Sequence, residues 1–486
     1  MALVFAIDIG TSSSKAVVVD EHGTVLRSAT RSHEVSRPAF GHVEMDAAIW
    51  WSEFTELATE LTTDLPEPVA AIGVSGMGPC LLVATEDGEP LRPAILYGVD
   101  TRSTEQIALW NAKLGEDQIL QRTGSALSSQ AVGPKIAWVR QHEPEIWAQT
   151  RRMFMPASWL AFTLTGEYVL DHHSASQCTP MYDPHDLSWL ADWAPQIAPG
   201  LELPALRWAG EQAGVTQSAL AGIPAGTPVI TGTIDAWSEA TSVGAIEVGD
   251  LMLMYGTTMF LVATVAEPIR TPSMWGTVGT FPGTRNLAGG LATSGAITSW
   301  LRDLTSSDYP TLLADAESSG PGANGLLMLP YFAGERTPIM DPQARGLIAG
   351  LTLDHGQGDL YRAALEGTAF AVRHNIETMQ QAGADIRRLV AVGGGTTGGL
   401  WTQVISDVIG RPQVLPQTTI GASYGAAFLA MAMIADADIN TWNPAQTTVT
   451  PNSALADFYH ERYQQYRSLY PATRDVVHTL AQPSTT

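Results

Sequence analysis

The chain twice presents one short pattern: an apolar run, a turn of glycine and hydroxyl residues, and a second apolar run. Leu3–Ile9 enters Gly10-Thr-Ser-Ser-Ser14 and is answered by Ala16–Val19, which ends at Asp20-Glu-His-Gly23. Leu251–Tyr255 enters Gly256-Thr257-Thr258 and is answered by Met259–Ala266. Short apolar runs bounded by turn residues predict hairpins. The two hairpins lie about 250 residues apart, close to half of the 486-residue chain. That spacing points to an internal duplication, two domains of related design, against the alternative that strand–turn–strand units recur by chance.

Length agrees, since a domain of roughly 150 residues gives two or three domains here. Further strands are predicted at Val69–Val74, Leu81–Ala84, Pro228–Ile230 and Leu389–Val392. Apolar residues at helical spacing predict helices around Ala47–Leu61, Lys135–Gln141, Pro156–Leu164, Tyr361–Met379 and Trp401–Ile409. Strands alternating with helices define an α/β protein. The junction is expected within Gly244–Gly249, dividing the chain into 1–245 and 246–486.

Composition narrows the partners. Apolar residues make up 45% and charged residues 15%, enough to bury large cores and too apolar for disorder. A net charge of −23 repels phosphate backbones and anionic lipid, so neither nucleic acid nor a membrane surface is an expected partner. An anionic ligand must be held locally, by backbone N–H groups or single cations. Cys80 and Cys178 cannot build a disulfide framework, and no CxxC pair offers a zinc site. The N-terminus carries no basic segment and meets a carboxylate at Asp8, unlike a signal peptide. The apolar stretches Leu251–Ala266 and Ile420–Ala435 fall short of a membrane span. A soluble, cytoplasmic protein is expected.

Four segments can carry chemistry. Asp8-Ile-Gly-Thr-Ser-Ser-Ser-Lys15 offers N–H groups, hydroxyls and one point charge to a small anion, though its spacing is not that of a P-loop. Asp8 closes an apolar strand and needs a partner, which Mg²⁺ with its waters would provide. The alternative is an ordinary turn with Lys15 in solvent. Val392-Gly-Gly-Gly-Thr-Thr-Gly-Gly-Leu-Trp401 lies between a strand and a helix, where a flat ligand can approach the backbone. In Thr231-Gly-Thr-Ile-Asp235-Ala-Trp-Ser-Glu239, Asp235 can serve as a general base or as a helix cap. Gly73-Val-Ser-Gly-Met-Gly-Pro-Cys80 and Leu96-Tyr-Gly-Val-Asp100-Thr-Arg102 are strand-ending loops of the kind that hold ligands in α/β sheets, although surface ion pairing explains Asp100 and Arg102 equally well. His172 and His173 are adjacent and diverge on any regular element, so they predict no metal pair.

Taken in order, these segments resemble the FGGY carbohydrate kinases. Gly41-His-Val-Glu-Met-Asp46 with Trp50-Trp51 is similar to an early family stretch. Pro134-Lys135-Ile-Ala-Trp138 resembles the first family signature, with Val132 in place of the usual Ser, Thr or Pro. Ser158-Trp159-Leu160, Leu164-Thr165-Gly166-Glu167, Thr231–Asp235, Tyr255-Gly-Thr-Thr258, Thr293-Ser-Gly295 with Trp300-Leu-Arg-Asp303, and Gly393-Gly-Gly395 through Gly410-Arg-Pro412 continue the series across nearly the whole chain. Among members, Leu91-Arg-Pro-Ala-Ile-Leu96 followed by Asp100-x-Arg102, and the chain length, resemble the xylulokinase branch.

The resemblance implies two actin-like (ribonuclease H-like) domains with the active site in the cleft between them. It implies ATP and Mg²⁺, a sugar or polyol acceptor such as the ketopentose D-xylulose, and leaves a homodimer open. Thr11, Ser12, Ser13 and Lys15 match contacts to ATP phosphates, Asp8 the Mg²⁺ residue, Thr257 a phosphate contact, and Gly295, Ser299, Gly394 and Gly398 nucleotide contacts. Asp235 matches the catalytic base, and Met77, Gly78, Asp100, Arg102 and Asp235 the sugar site. Two departures bear on the acceptor. Met77-Gly78-Pro79-Cys80 stands where xylulokinases carry Gln-Met-His-Gly, and Tyr97 with one extra residue alters the family's Trp-x-Asp-x-Arg. Glycerol, erythritol, ribulose or gluconate are therefore alternative acceptors. An actin-like ATPase and a silent sugar-binding regulator are the competing classes, the first opposed by the Asp235 segment and the second by the retention of Asp8, Lys15 and Asp235.

Overall fold

A computed structural model describes residues 2–481. The chain forms two compact units, neither continuous in sequence. The first comprises residues up to Glu247 with Thr264–Asn286 and Ile420–Pro444; the second comprises Val248–Ala263, Leu287–Thr419 and the segment from Ala445 onward.

In the first unit the opening hairpin forms as its sequence predicts. Leu3–Ile9 pairs antiparallel with Ser13–Asp20, placing Asp8 opposite Lys15. The sheet runs in the order Gln212–Val215, Pro228–Ile230, Val69–Gly76, Leu3–Ile9, Ser13–Asp20, Val25–Ser32. Leu3–Ile9, Val69–Gly76 and the short strand Thr233–Ile234 are mutually parallel neighbours, so their carboxyl ends lie in a row. The register sets Asp8 beside Ser75, and Ser75 beside Thr233. Helix Ala47–Thr62 starts where the Asp46 side chain accepts the Ala48 N–H, and it buries Trp50, Phe54, Leu57, Ala58 and Leu61 along one stripe.

The apolar stretch at 420–435 becomes helix Ala422–Ile434, which lies on Leu3–Ile9, Val69–Gly76 and helix Asp235–Ser242. It is apolar all round because it is covered all round. Contact with the helix bearing Asp235 is backbone-close: a Cβ at Gly425 would stand 1.8 Å from the Ser238 carbonyl. Ser238 Oγ adds a hydrogen bond to the Ala422 carbonyl at 2.7 Å.

The second unit repeats the design. Asp250–Tyr255 pairs antiparallel with Met259–Val265 and parallel with Arg388–Val392. Gln413–Pro416 and Ala445–Val449 extend the sheet. Tyr255 and Val392 therefore leave the sheet at one end, each entering a glycine turn. Helix Gln357–Gln381 is buried along most of its length. Among the described residues no helix is long and apolar enough to cross a membrane.

Candidate active site

In the first unit the carboxyl ends of the parallel strands gather three acids around one lysine. Asp8 Oδ1 accepts from Ser75 Oγ at 2.8 Å. Asp235 opens helix Asp235–Ser242, and its Oδ1 accepts from the Ala236 N–H at 2.7 Å, leaving Oδ2 unbonded among the described residues. Asp235 is the first residue of the helix and not its cap, which is Ile234, so the cap reading is not met; one oxygen takes the adjacent N–H and the other stays open. Glu239 follows one helical turn later, on the same face. Burial holds all three carboxyls above the usual range. Asp8 is pushed up by burial and then by Asp235, against the Ser75 hydrogen bond. Asp235 rises to about 6, also by burial. Glu239 rises to about 7 by burial, with Lys15 opposing. Lys15 Nζ itself donates to the Ile420 carbonyl.

Three carboxyls near one cation supply hard oxygen donors, the chemistry that suits Mg²⁺. Among the described residues no cluster of three or more metal-ligating side chains forms. Mg²⁺ needs none, because it keeps waters and takes one or two carboxylates plus substrate phosphates. Asp8, with Oδ2 not engaged by Ser75, could take that role once the cation's charge offsets the burial that raises its carboxyl.

The turn between the first two strands presents Ser12 to solvent and Thr11, Ser13 and Lys15 at half-exposed positions. Its backbone is closed by the Gly10 N–H to the Ser13 carbonyl at 3.0 Å. Sequence reasoning missed its brace, His33, which joins the Gly10 carbonyl at 3.0 Å to the Glu53 carboxylate at 3.0 Å. It also missed Asp171, which accepts from Thr233 Oγ1 at 2.8 Å and so fixes the approach to Asp235. No local pattern marks either residue. His172 and His173 diverge as expected, one to the Tyr182 hydroxyl and one to the Val278 carbonyl.

Two expectations for the sugar site need correction. Asp100 is fully buried and its carboxylate is consumed by the Val43 N–H at 2.6 Å and by Arg102 Nε and Nη2 at 3.0 and 2.7 Å. Arg102 Nη1 turns to Glu44 at 2.7 Å. The Asp100 carboxylate, fully buried and saturated in this way, has no exposed oxygen to offer a ligand. The Met77 side chain is likewise fully buried in the core, leaving Gly78 as the half-exposed part of that loop.

In the second unit Thr257, Gly295, Ser299, Gly394 and Gly398 line one cavity of about 670 Å³, with Tyr255, Tyr309, Tyr361 and Trp401 as aromatic walls. Its floor is a docked pair of turns: the Gly295 N–H donates to the Gly256 carbonyl and the Ala296 N–H to the Thr257 carbonyl, at 3.0 and 3.1 Å. Gly295 is needed for that contact, because its Cβ would lie 2.5 Å from the Gly256 carbonyl. Gly394 is different. A Cβ there meets nothing within 4 Å, and its φ is not left-handed, so the fold does not require a glycine. The missing side chain leaves room for a ligand. Gly394→Val should keep its folding stability within about 0.5 kcal/mol. It should weaken binding of a ligand that uses this room by about 1–3 kcal/mol, the cost of an overpacked contact, read by calorimetric titration with ADP as the probe.

Comparison with known proteins agrees with this geometry. A sequence model of the N-terminal domain of the FGGY family of carbohydrate kinases matches residues 3–242, and that of the C-terminal domain matches residues 251–434. The xylulose kinase of Staphylococcus xylosus is 28% identical over 490 residues, covering 97% of this chain and 100% of its own length. The glycerol kinase of Nocardia farcinica is 30% identical over 485 residues, covering 93% and 95%. The crystal structure of xylulose kinase from Rhodospirillum rubrum superposes with a TM-score of 0.91 at 29% identity, covering 98% of this chain and 100% of that one.

Proposed function

The chain belongs to the FGGY family of carbohydrate kinases, and from that premise we propose that it transfers the γ-phosphoryl group of ATP to a hydroxyl of a ketopentose, D-xylulose first. As a family member of two-domain α/β fold it is an ATP-dependent sugar kinase. The observation that carries the mechanistic reading is Asp235, a raised carboxyl with one oxygen anchored and one open, beside Asp8 and Lys15.

Phosphoryl transfer asks the protein for positioning and charge neutralisation rather than covalent chemistry. Asp235 accepts the proton of the attacking sugar hydroxyl at Oδ2. In the first unit Thr11, Ser12, Ser13 and Lys15 offer hydroxyls and a cation to phosphate oxygens; in the second unit Thr257 offers a hydroxyl of the same kind. Gly295, Ser299, Gly394 and Gly398 receive the nucleoside. Asp8 would hold Mg²⁺, whose charge offsets that of the phosphate oxygens. The acidic surface, with no membrane-spanning helix among the described residues, suits a cytoplasmic enzyme.

The base works ionised, so a raised carboxyl fixes the sign of the pH profile. At Asp235, kcat/KM for the sugar should fall as pH drops through about 6, whereas an ordinary aspartate would hold activity down to its value of 3.8. An initial-rate profile from pH 8 to about 4 reads this directly.

One observation favours a second reading of the acceptor. Pro79 and Met77 are buried and the Cys80 thiol turns to the Met77 carbonyl, so this loop offers a sugar no side-chain hydrogen bond. Glycerol, erythritol, ribulose and gluconate therefore belong beside D-xylulose in an ADP-release panel. The highest kcat/KM on D-xylulose supports the first reading; the highest on a polyol or aldonate supports the second; no sugar-stimulated release from any of them rejects both.

A further inference from the structure

Tyr97 stands where the family's Trp-x-Asp-x-Arg stretch begins, and its hydroxyl lies 3.0 Å from the hydroxyl of Thr11, 86 residues earlier. We propose that Tyr97 is a positioning residue that aims the Thr11 hydroxyl at the nucleotide phosphates, an inference that rests on the assignment of the Gly10–Lys15 turn to ATP. A phenol is a stronger proton donor than an aliphatic alcohol. The favoured arrangement therefore runs from the Tyr97 O–H to Thr11 Oγ1. Thr11 then has an acceptor site filled and its own proton directed outward, toward an anion. Such a chain also polarises the terminal donor. Without the phenol the threonine hydroxyl is a free rotor.

Tyr97 can act this way because its loop is held from two sides. On one side the Asp100 N–H donates to the Tyr97 carbonyl at 3.0 Å, and Asp100 is locked by Arg102. The Leu96 N–H donates to the Val43 carbonyl at 3.0 Å. On the other side the Gly98 N–H donates to Gln130 Oε1 at 3.1 Å, and Ser129 Oγ to the Gly98 carbonyl at 3.0 Å. Lys135 Nζ, buried, donates to the Ser129 and Ala131 carbonyls and so fixes that support. The Asp100–Arg102 pair and the signature lysine thus brace the loop backbone that carries Tyr97, and its phenol touches the Gly10–Lys15 turn. This gives Asp100 and Arg102 a task other than sugar contact.

The test is a double-mutant cycle on the full chain, with wild type, Tyr97→Phe, Thr11→Ala and the double variant. Calorimetric titration with the non-hydrolysable β,γ-imido analogue of ATP is read beside steady-state kinetics. Tyr97→Phe should weaken analogue binding and kcat/KM for ATP about three- to tenfold, the range of one hydrogen bond, with KM for the sugar unchanged within about twofold. The double variant should bind the analogue no worse than Thr11→Ala, because the phenol acts only through that hydroxyl. Thr11→Ser, which keeps the hydroxyl, should retain the sensitivity to Tyr97→Phe. Losses that multiply in the double variant, or analogue binding unchanged within about twofold in Tyr97→Phe, overturn the inference. A wild type that binds no nucleotide rejects the kinase reading itself; nucleotide binding blind to Tyr97 rejects only this role.

Discussion

Replacing Asp235 by asparagine should lower kcat for sugar phosphorylation by about 10²–10⁴-fold, the contribution of a positioned general base. The substitution is nearly isosteric. Its amide oxygen can still accept the Ala236 N–H that anchors Oδ1, so helix Asp235–Ser242 keeps its start. The lost quantity is the open oxygen's ability to take a proton. KM for ATP should therefore stay close to that of wild type, as the residues proposed for the nucleoside line the second unit's cavity. Stopped-time ADP assays at saturating substrate measure the effect. A variant within threefold of wild-type kcat would mean that another group takes the proton.

The second large effect is structural. Asp100→Ala should destabilise the protein by about 3–5 kcal/mol, the cost of stripping one partner from a buried ion pair. Arg102, whose side chain is 1% exposed, would keep Glu44 and lose the two-point contact with Asp100. The Val43 N–H would lose its acceptor as well. Urea unfolding reads the stability, and KM for the sugar in the folded protein reads the alternative. Unchanged stability with a raised sugar KM would return Asp100 to the substrate site.

The contrast between these two aspartates shows what a sequence can display. Both end or follow strands in small-residue loops, and only Asp100 has an arginine two residues away to suggest an ion pair. Asp235 stays open because its helix start satisfies one oxygen and nothing crosses the other. Asp100 is closed by an arginine two residues away and by the backbone of Val43, a contact across 57 residues. Long-range closure of that kind leaves no local trace. The two hairpins were legible because short apolar runs either side of a Gly-Thr turn carry their geometry locally. The five predicted nucleotide residues come from three separate segments, Tyr255–Thr257, Gly295–Ser299 and Gly394–Gly398, and order along the chain, not spacing, marked them as one group.

Helix Ala422–Ile434 was legible only as an apolar stretch. An amphipathic helix announces its face by a 3.6-residue period, whereas a helix buried on every side has no period to show. Its return to the first unit, nearly 200 residues after helix Asp235–Ser242, follows from close backbone packing at Gly425 and Gly73. Glu239 is a similar case. One turn after Asp235 it reads as a partner in helix capping, but the fold turns it toward Lys15 and the two aspartates.

The account stands on phosphoryl transfer from ATP to a sugar hydroxyl, and ³¹P NMR of the reaction mixture tests that step most directly. With ATP, Mg²⁺ and D-xylulose, the wild type should produce a sugar phosphomonoester signal that grows in step with ADP, and Asp235→Asn should produce almost none. ATP consumed with only inorganic phosphate appearing, across every sugar and polyol tried, would contradict it.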